Sequence, residues 1–113
     1  MEAPAVADPR TDTTLDCQFD MGGEELYAVK WYKDDQEFFR YAPGHNPDTT
    51  TFPVEGVRLA STLTDCGIDH CRVTLHQPSR EHGAGAYRCE VSSEAPAFRL
   101  ASQTRKIVVA GER

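Results

Sequence analysis

Apolar and polar residues alternate along several short segments of the chain, which predicts β-strands rather than helices. In the segment 14–19, Leu15, Cys17 and Phe19 fall on one face, and polar residues occupy the other. The same alternation returns at 87–92, near the end of the chain. We therefore predict an all-β domain whose strands each bury one face in a shared core.

The remaining strands follow from the same period of two and from the turn residues between them. Gly22 and Gly23 mark the first turn, and Pro43 with Gly44 closes an aromatic segment. The polar stretch after it fits a loose edge strand, where its prolines would discourage pairing with other chains. The further strands are predicted around 29–32, at 37–41, within 44–53, from 57, around 73–75, at 87–91 and at 104–109.

Two cysteines, a tryptophan and a tyrosine indicate how these strands are arranged. Cys17 and Cys89 bracket the lone Trp31, and Tyr87 stands just before the second cysteine. A disulfide between two sheets, a tryptophan packed on it and a tyrosine corner are typical of an immunoglobulin sandwich. The long separation of the cysteines leaves room for two extra strands, which predicts the variable type. This bridge would stabilise the fold by roughly 4 kcal/mol.

A second cysteine pair, Cys66 and Cys71, lies where the strand from 57 should turn into the strand at 73–75. We predict a disulfide across that turn, and the small enclosed loop limits its contribution to about 2 kcal/mol. The alternatives are a metal site using His70 or His76, and free or intermolecularly paired thiols. The spacing matches no common zinc pattern, which favours the disulfide.

One residue of the variable-type pattern is missing. An Asp usually stands shortly before the second core cysteine and pairs with an Arg elsewhere in the domain, but Gly83 occupies that place. Arg58 therefore lacks this partner. Either Glu81 replaces the Asp, or Arg58 reaches solvent.

Length, charge and cysteine content narrow the class of protein. A chain of 113 residues is enough for one domain with one core. The formal net charge of −6 argues against nucleic acid or an anionic membrane as a partner. Four cysteines in so short a chain indicate an oxidising compartment, so we predict an extracellular protein, secreted or tethered to a cell surface. No segment approaches the roughly 20 apolar residues of a membrane span, so we expect no direct membrane insertion by this domain.

The predicted organisation has three parts. A flexible N-terminal segment occupies 1–7, a single variable-type domain occupies 8–110, and a tail at 111–113 leads to a second domain that this sequence lacks. The first residues do not have the basic and apolar regions of a signal peptide. We therefore expect the chain to be an excised module of an extracellular protein.

The sequence contains no motif that indicates catalysis. Serines, histidines and carboxylates are present, but none occurs in an activated-nucleophile motif or in a metal-binding helix motif. The four histidines fall in predicted loops or strand ends, where a solvated side chain is ordinary. We predict a protein that is not an enzyme, with no catalytic residues, no metal and no cofactor.

Protein binding remains, and the predicted surface is the outward face of the sheet that carries Trp31. Because Trp31 and Cys89 point inward, their neighbours along the two strands point outward. These neighbours are Lys30, Tyr32, Arg88 and Glu90. An aromatic side chain among charges of both signs is typical of a protein contact surface, although a solvated face is the plain alternative.

The predicted aromatic strand extends this surface, but its orientation stays open. Alternate side chains of a regular strand lie on opposite faces, and only one face can lie in the core. Either Phe38 and Arg40 or Phe39 and Tyr41 therefore face outward. In the first case the outward pair lies beside Tyr32. Both arrangements expose an aromatic residue, so we predict partner contact through Phe38, Arg40 and Tyr41.

Phe98 is a second aromatic candidate for partner contact. It follows Pro96 in a loop between two predicted strands. The alternative is that its ring packs over the end of the sheet.

Five segments of the chain carry a more specific pattern. They are Leu26–Lys33, Glu37–Tyr41, Phe52–Val57, Tyr87–Ser92 and Glu94–Phe98. The Trp-Tyr-Lys and Tyr-x-Cys motifs are common to immunoglobulin domains in general. The aromatic-Arg-Tyr strand and the motif Glu-x-Ser-x-Glu-Ala-Pro-x-Phe are found in far fewer of them. Together these segments resemble the first immunoglobulin domain of the beaten path family of arthropod neuronal proteins, over nearly the whole chain.

Resemblance to this family implies a secreted or membrane-tethered protein with two immunoglobulin domains, of which this chain is the first. It also implies heterophilic binding to immunoglobulin receptors of the sidestep family, in axon guidance and in the loosening of axon bundles. The expected binding face comprises the strands around 29–32, 37–41, 87–91 and 104–109. A homophilic adhesion domain, able to form a homodimer, or a structural spacer is the alternative. An antigen-receptor domain is disfavoured because no Phe-Gly-x-Gly motif follows the last core cysteine.

Overall fold

The computed structural model describes residues 1–111, apart from the side chain at position 61, and shows two β-sheets joined by a disulfide. A short 3-10 helix occupies Ser61–Leu63. The strands are β1 Val6–Ala7, β2 Thr13–Gln18, β3 Leu26–Lys33, β4 Gln36–Tyr41, β5 Thr49–Thr51, β6 Asp65–Cys66, β7 His70–Leu75, β8 Gly85–Ser93 and β9 Leu100–Val109. The predicted all-β immunoglobulin sandwich of the variable type is confirmed, and so are both predicted disulfides.

The larger sheet has the strand order β1-β9-β8-β3-β4-β5, and the smaller sheet has the order β2-β7-β6. Neighbouring strands run antiparallel except β1, which lies parallel to β9. The strands β4 and β5 extend the larger sheet beyond β3, which is the extension typical of the variable type. The central strands β3 and β8 therefore have a neighbour on each side.

The N-terminal residues take part in both sheets. Glu2 forms a bridge with Asp16 of β2, and β1 pairs with the end of β9. This corrects the predicted division at 1–7, because paired strand residues lie inside that segment and the domain begins before residue 8. Of the predicted tail at 111–113, only Gly111 is among the described residues, and a second domain stays a prediction.

The core is built around the Cys17–Cys89 disulfide, whose Cα atoms are 6.4 Å apart. Trp31 is fully buried and lies opposite Cys89 in the β3–β8 ladder. Tyr87 is also fully buried, and its hydroxyl donates a 2.5 Å hydrogen bond to the carbonyl of Gly83. Burial raises the pKa of Tyr87, so this hydroxyl stays protonated and remains a donor. The predicted tyrosine corner therefore holds the β7–β8 connection against the core.

The strand predicted from Val57 is reduced to fragments. Leu59 forms an isolated bridge with Leu75 of β7, the 3-10 helix follows, and β6 has 2 residues. The cause is local: Gly56 has a φ of 87°, and the N–H of Val57 closes a turn on the carbonyl of Val54. The edge of the smaller sheet is consequently short and irregular.

The missing Asp at Gly83 has a steric explanation. A Cβ atom at this position would lie 2.6 Å from the carbonyl oxygen of Ser79, which accepts the Gly83 N–H. The tight turn therefore requires glycine. Arg58 donates from Nη2 to the carbonyl oxygen of Gln77 at 3.1 Å, a backbone partner that replaces the Glu81 pairing considered from the sequence.

Candidate binding surface

Outward-pointing residues of β3, β4 and β8 form one continuous surface, and we call six of them the outer face. They are Lys30, Tyr32, Glu37, Arg40, Arg88 and Glu90. Their direction follows from Trp31 and Cys89, which point into the core and face each other across the β3–β8 ladder. The outward direction predicted on β3 and β8 agrees with this register, and the role of these residues in binding stays a prediction.

Strand β4 contains a β-bulge at Phe38. Trp31 pairs with Phe39, but the next pair in the ladder is Tyr32 with Glu37, so Phe38 has no opposite residue on β3. Such an extra residue breaks the alternation of side chains along the strand. Phe38 and Phe39 are both buried, at 0% and 2% exposure. The strand therefore buries two consecutive side chains, which a regular strand with one face in the core cannot do.

The predicted orientations of this strand are corrected accordingly. Phe38 belongs to the core, where its ring meets the ring of Tyr87 edge to face at a centroid distance of 6.2 Å. Phe38 is therefore no longer a candidate for partner contact. Arg40 points outward, whereas Tyr41 lies opposite Val29 and packs against the core as a partly buried residue. On β4 the outer face is consequently charged rather than aromatic.

Tyr32, Arg88 and Glu90 form a compact cluster at the centre of the outer face. The guanidinium carbon of Arg88 lies 4.2 Å from the centroid of the Tyr32 ring, within cation–π range. The Tyr32 hydroxyl donates to Oε1 of Glu90 at 3.2 Å. Burial, and then the charge of Glu90, raises the pKa of Tyr32, so the hydroxyl stays a donor. These contacts restrain the three side chains, and a restrained side chain loses less entropy if it becomes part of an interface.

Arg40 is held by a bidentate ion pair with Glu37. Its Nε and Nη2 atoms donate to the two carboxylate oxygens at 2.8 and 2.9 Å. These hydrogen bonds raise the pKa of Arg40. The guanidinium carbon also lies 5.3 Å from the centroid of the Phe52 ring. The side chain of Arg40 is nevertheless 40% exposed, so it presents a cation of fixed orientation to solvent.

Lys30 lies between these two groups, opposite Arg40 on β4 and Glu90 on β8. Within the described part of the chain, its ammonium group makes no hydrogen bond or ion pair. Like charges directly opposite each other destabilise a sheet. Since Arg40 pairs with Glu37 and Arg88 with Asp35, Lys30 is the one cation of the outer face that has no carboxylate partner in the described part of the chain.

The turn between β3 and β4 supports the outer face from its end. Asp34 and Asp35 have φ angles of 49° and 68°, as a type I′ hairpin turn requires. The Asp34 carboxylate accepts a 2.9 Å hydrogen bond from the N–H of Ala86, which lowers the pKa of Asp34. Oδ1 of Asp35 accepts from Nη1 of Arg88 at 2.5 Å, and this hydrogen bond raises the pKa of Arg88. The turn is therefore fastened to β8.

The supporting carboxylates Asp34, Asp35 and Glu37 were not predicted as site residues. The sequence did carry a signal for the first two, because consecutive aspartates are suited to a hairpin turn with positive φ angles. Glu37 carried no such signal, since its direction depends on the bulge that follows it.

Phe98 lies outside the β8–β9 ladder, in the loop that joins the two strands. It is 72% exposed, so the alternative of packing over the sheet end does not apply. Its φ is 48°, and its N–H donates to the carbonyl of Glu94 at 3.2 Å. Reciprocal hydrogen bonds between Ser93 and Arg99 close the base of the loop. The ring is therefore available at the end of the sheet rather than on the outer face.

The histidine near the second disulfide is engaged in ion pairs. Nδ1 of His70 lies 2.8 Å from Asp69 and its Nε2 lies 3.4 Å from Asp65. The hydrogen bond with Asp69 is the largest cause that raises the pKa of His70. Among the residues that the structure describes, no group of His, Cys, Asp and Glu side chains is suited to hold a metal ion. Over the same range, no helix has the length and apolar character needed to cross a membrane.

Comparison with known proteins finds similarity in structure. No protein-family model matches the chain, and no curated protein matches it either. Murine CEACAM1b superposes with a TM-score of 0.67 at 21% identity, over 96% of this chain and 51% of that one. Murine CRIg gives 0.70 at 12% identity, over 97% and 96%. The amphioxus IgVJ-C2 molecule gives 0.65 at 14% identity, over 92% and 54%.

These similarities place the chain among immunoglobulin domains by its fold. The chain spans about half the length of the CEACAM1b and IgVJ-C2 chains that it matches. At identities this low the likeness concerns the fold alone, because one sandwich serves many unrelated functions. Function has to be argued from the side chains of the outer face.

Proposed function

We propose that this domain is an extracellular, non-enzymatic recognition module that binds an immunoglobulin receptor of the sidestep type through its outer face. The observation that carries the proposal is the cluster of Tyr32, Arg88 and Glu90, in which an aromatic ring and two charges are fixed at the surface. Tyrosine and arginine are strongly enriched among the residues that dominate binding energy in protein interfaces. A rigid cluster of these types is well suited to such a role.

The outer face also indicates the chemistry of the partner. Arg40 and Arg88 already pair with Glu37 and Asp35, so their guanidinium groups offer a partner their planar faces and their remaining N–H donors. Lys30 adds a cation without a carboxylate partner in the described part of the chain. We expect the partner to place an acidic side chain opposite Lys30, and an apolar side chain beside the Tyr32 ring.

The sequence resemblance supports the identity of the partner and the biological role. The particular segments of the beaten path type include Arg40 on β4 and Glu90 on β8, so they coincide with the outer face. The two disulfides favour an oxidising, extracellular environment. Heterophilic recognition in axon guidance and in the separation of axon bundles is therefore the proposed role.

Surface plasmon resonance tests this proposal directly. The purified domain is passed over the immobilised first domains of a panel of sidestep-type receptors, and the murine CRIg domain serves as a control of the same fold. We expect saturable binding of this domain to at least one receptor and no binding of the control. If none of the receptors in the panel gives saturable binding at concentrations up to about 100 μM, the proposed partner is contradicted.

Homophilic adhesion is a second candidate, because the outer face carries charges of both signs. In a two-fold dimer, Lys30 of one copy could lie against Glu90 of the other. The net charge of −6 opposes such an association, since two copies repel each other at low salt. Sedimentation equilibrium distinguishes the two: a dimer at micromolar concentration that Tyr32→Ala dissociates would favour the homophilic function over the heterophilic one.

A further inference from the structure

Three loops meet at one end of the sandwich, which we call the loop end. They are residues 19–25 between β2 and β3, 67–69 between β6 and β7, and 94–99 between β8 and β9. The N–H of Phe19 donates to the carbonyl of Asp69 at 3.0 Å, which ties the first loop to the second. Because β2 and β7 are neighbours in the smaller sheet, this hydrogen bond extends their ladder into the two loops.

The first and third loops are tied in a similar way. The N–H of Glu94 donates to the carbonyl of Glu25 at 2.9 Å. Nε of Arg99 lies 3.2 Å from Oε2 of Glu24. The loop end is therefore one connected surface rather than three independent loops, and a ligand that binds there would order little additional backbone.

An open groove of about 730 Å³, which we call the loop groove, runs across this end. Its apolar lining residues are Phe19, Met21, Leu26, Pro43 and Ile68. An adjoining cavity of about 430 Å³ shares residues 19–22 with it and extends to Leu100 on β9. These volumes suit a few side chains of a bound segment rather than a whole folded surface.

Ile68 is the most exposed apolar residue of the loop groove, at 74%. It stands at the tip of the β6–β7 turn, which the disulfide between Cys66 and Cys71 closes. The N–H of Gly67 also donates to the carbonyl of His70 at 2.8 Å. A single exposed isoleucine needs no explanation. Here, however, the turn holds it at the rim of an apolar groove, where a bound side chain would cover it.

The loop groove is acidic as well as apolar. Its charged lining residues are Asp20, Glu24, Glu25 and Asp69, and the described lining includes no lysine or arginine. Two of these carboxylates already have a basic neighbour, because Glu24 pairs with Arg99 of the adjoining cavity and Asp69 lies 2.8 Å from Nδ1 of His70, which leaves Asp20 and Glu25. The surface around the groove therefore has a net negative charge that would attract a basic ligand and repel an acidic one.

We propose that the loop groove is a second docking site, which binds a basic segment of a protein partner. The segment carries a lysine or arginine beside a leucine-like apolar side chain. The apolar side chain covers Ile68 and Met21, and a basic group lies against the carboxylate of Glu25. This site is separate from the outer face, so it goes beyond the proposed recognition of a sidestep-type receptor.

Two other occupants fit the loop groove less well. A second copy of this domain would bring another net charge of −6 to an acidic surface. A metal ion would need convergent free carboxylates, whereas Oδ1 of Asp20 already accepts the N–H of Gly22 and Glu24 is paired with Arg99. Charge complementarity therefore favours the basic segment.

Titration of the ¹⁵N-labelled domain by nuclear magnetic resonance tests this site. The probe is an acetylated and amidated peptide of sequence Lys-Leu-Lys-Leu-Lys. One control peptide replaces each lysine by glutamate, and a second replaces each leucine by glycine. With the first peptide, we expect saturable changes in amide chemical shift that are confined to residues 19–26 and 67–69. Added salt should lower the affinity of the peptide, because it screens the charges. Neither control peptide should produce them.

Variants localise the binding to the groove. Ile68→Ser and Glu25→Lys should each lower the affinity of the domain for the peptide at least fivefold. Val6→Ser, at an exposed position on β1, should leave that affinity unchanged. Absence of saturable shifts, equal binding of the glycine peptide, shifts centred on the outer face, or indifference to both groove variants would overturn the proposal. Failure here leaves the receptor-binding test of the outer face unaffected, because the two measurements use different ligands and different variants.

Discussion

The guanidinium carbon of Arg88 lies 4.2 Å above the centroid of the Tyr32 ring. The two residues stand directly opposite each other on neighbouring antiparallel strands, β8 and β3, and both point away from the core. Asp35 accepts a hydrogen bond from Nη1 of the guanidinium, and Glu90 accepts one from the Tyr32 hydroxyl. A flat aromatic surface with a fixed cation therefore exists at the centre of the outer face without a bound partner.

The β-bulge on β4 predicts very different effects for two phenylalanines. Phe38→Ala removes a fully buried ring that packs against Tyr87, so we expect the free energy of unfolding to fall by about 3–5 kcal/mol. Phe98→Ala removes a ring that is 72% exposed, and stability should change by less than about 0.5 kcal/mol. Denaturant unfolding of both variants measures the difference. Equal effects would contradict the assignment of Phe38 to the core.

Asp34 should make the domain less stable in acid. Its pKa is lowered in the folded state by the hydrogen bond from the Ala86 N–H, whereas the pKa of an Asp in the unfolded chain is about 3.9. This contribution to stability is therefore complete above the unfolded pKa and is lost as the pH falls through the lower folded pKa. Unfolding measured between about pH 2 and pH 6 should show a shallower pH dependence for Asp34→Asn than for the parent domain. The same slope in both would show that Asp34 does not contribute.

His70 should give a pH dependence of the opposite sign. Its pKa is raised in the folded state, chiefly by the hydrogen bond with Asp69, above the unfolded value of about 6.5. The stabilisation is present below the unfolded pKa and is lost as the pH rises through the folded pKa. His70→Gln should therefore narrow the difference in unfolding free energy between about pH 6 and pH 8. If the parent and the variant lose the same stability over that interval, the ion pairs of His70 have no net effect.

The two disulfides should differ in their contribution to stability. The Cys66–Cys71 bridge spans a sequence separation of 5, whereas the Cys17–Cys89 bridge spans 72. Loop entropy then predicts a loss of about 2 kcal/mol for Cys66→Ala with Cys71→Ala, and about 4 kcal/mol for the core pair. Thermal unfolding without reductant compares the two double variants. A larger loss from the β6–β7 pair than from the core pair would contradict this order.

Much of the fold was predictable from the sequence because strong, local patterns specify it. Cys17, Trp31, Tyr87 and Cys89 predicted the sandwich, and their inward direction predicted the outward neighbours on β3 and β8. The turn cysteines predicted their own disulfide, since Cys66 and Cys71 lie on the two arms of one hairpin.

The features that were not predictable depend on backbone geometry beyond simple alternation. The bulge at Phe38 adds a residue to one strand of a ladder, and no residue type in the aromatic strand marks its position. For the same reason Glu37 could not be placed on the outer face. The turn around Gly83 depends on a close approach to the Ser79 carbonyl, a contact that appears only when the chain has folded.

The most direct test of the proposed recognition function compares two outer-face variants with a matched control. Tyr32→Ala and Arg40→Ala remove the ring and the guanidinium, while Arg10→Ala removes an exposed arginine that pairs with Asp8 away from this surface. Each is measured by surface plasmon resonance against a sidestep-type receptor that binds the parent domain, with circular dichroism to verify folding. The two outer-face variants should each lose at least tenfold in affinity, or about 1.4 kcal/mol, and Arg10→Ala should bind as the parent does. Unchanged affinity in both outer-face variants, with intact circular dichroism, would contradict the outer face as the binding surface.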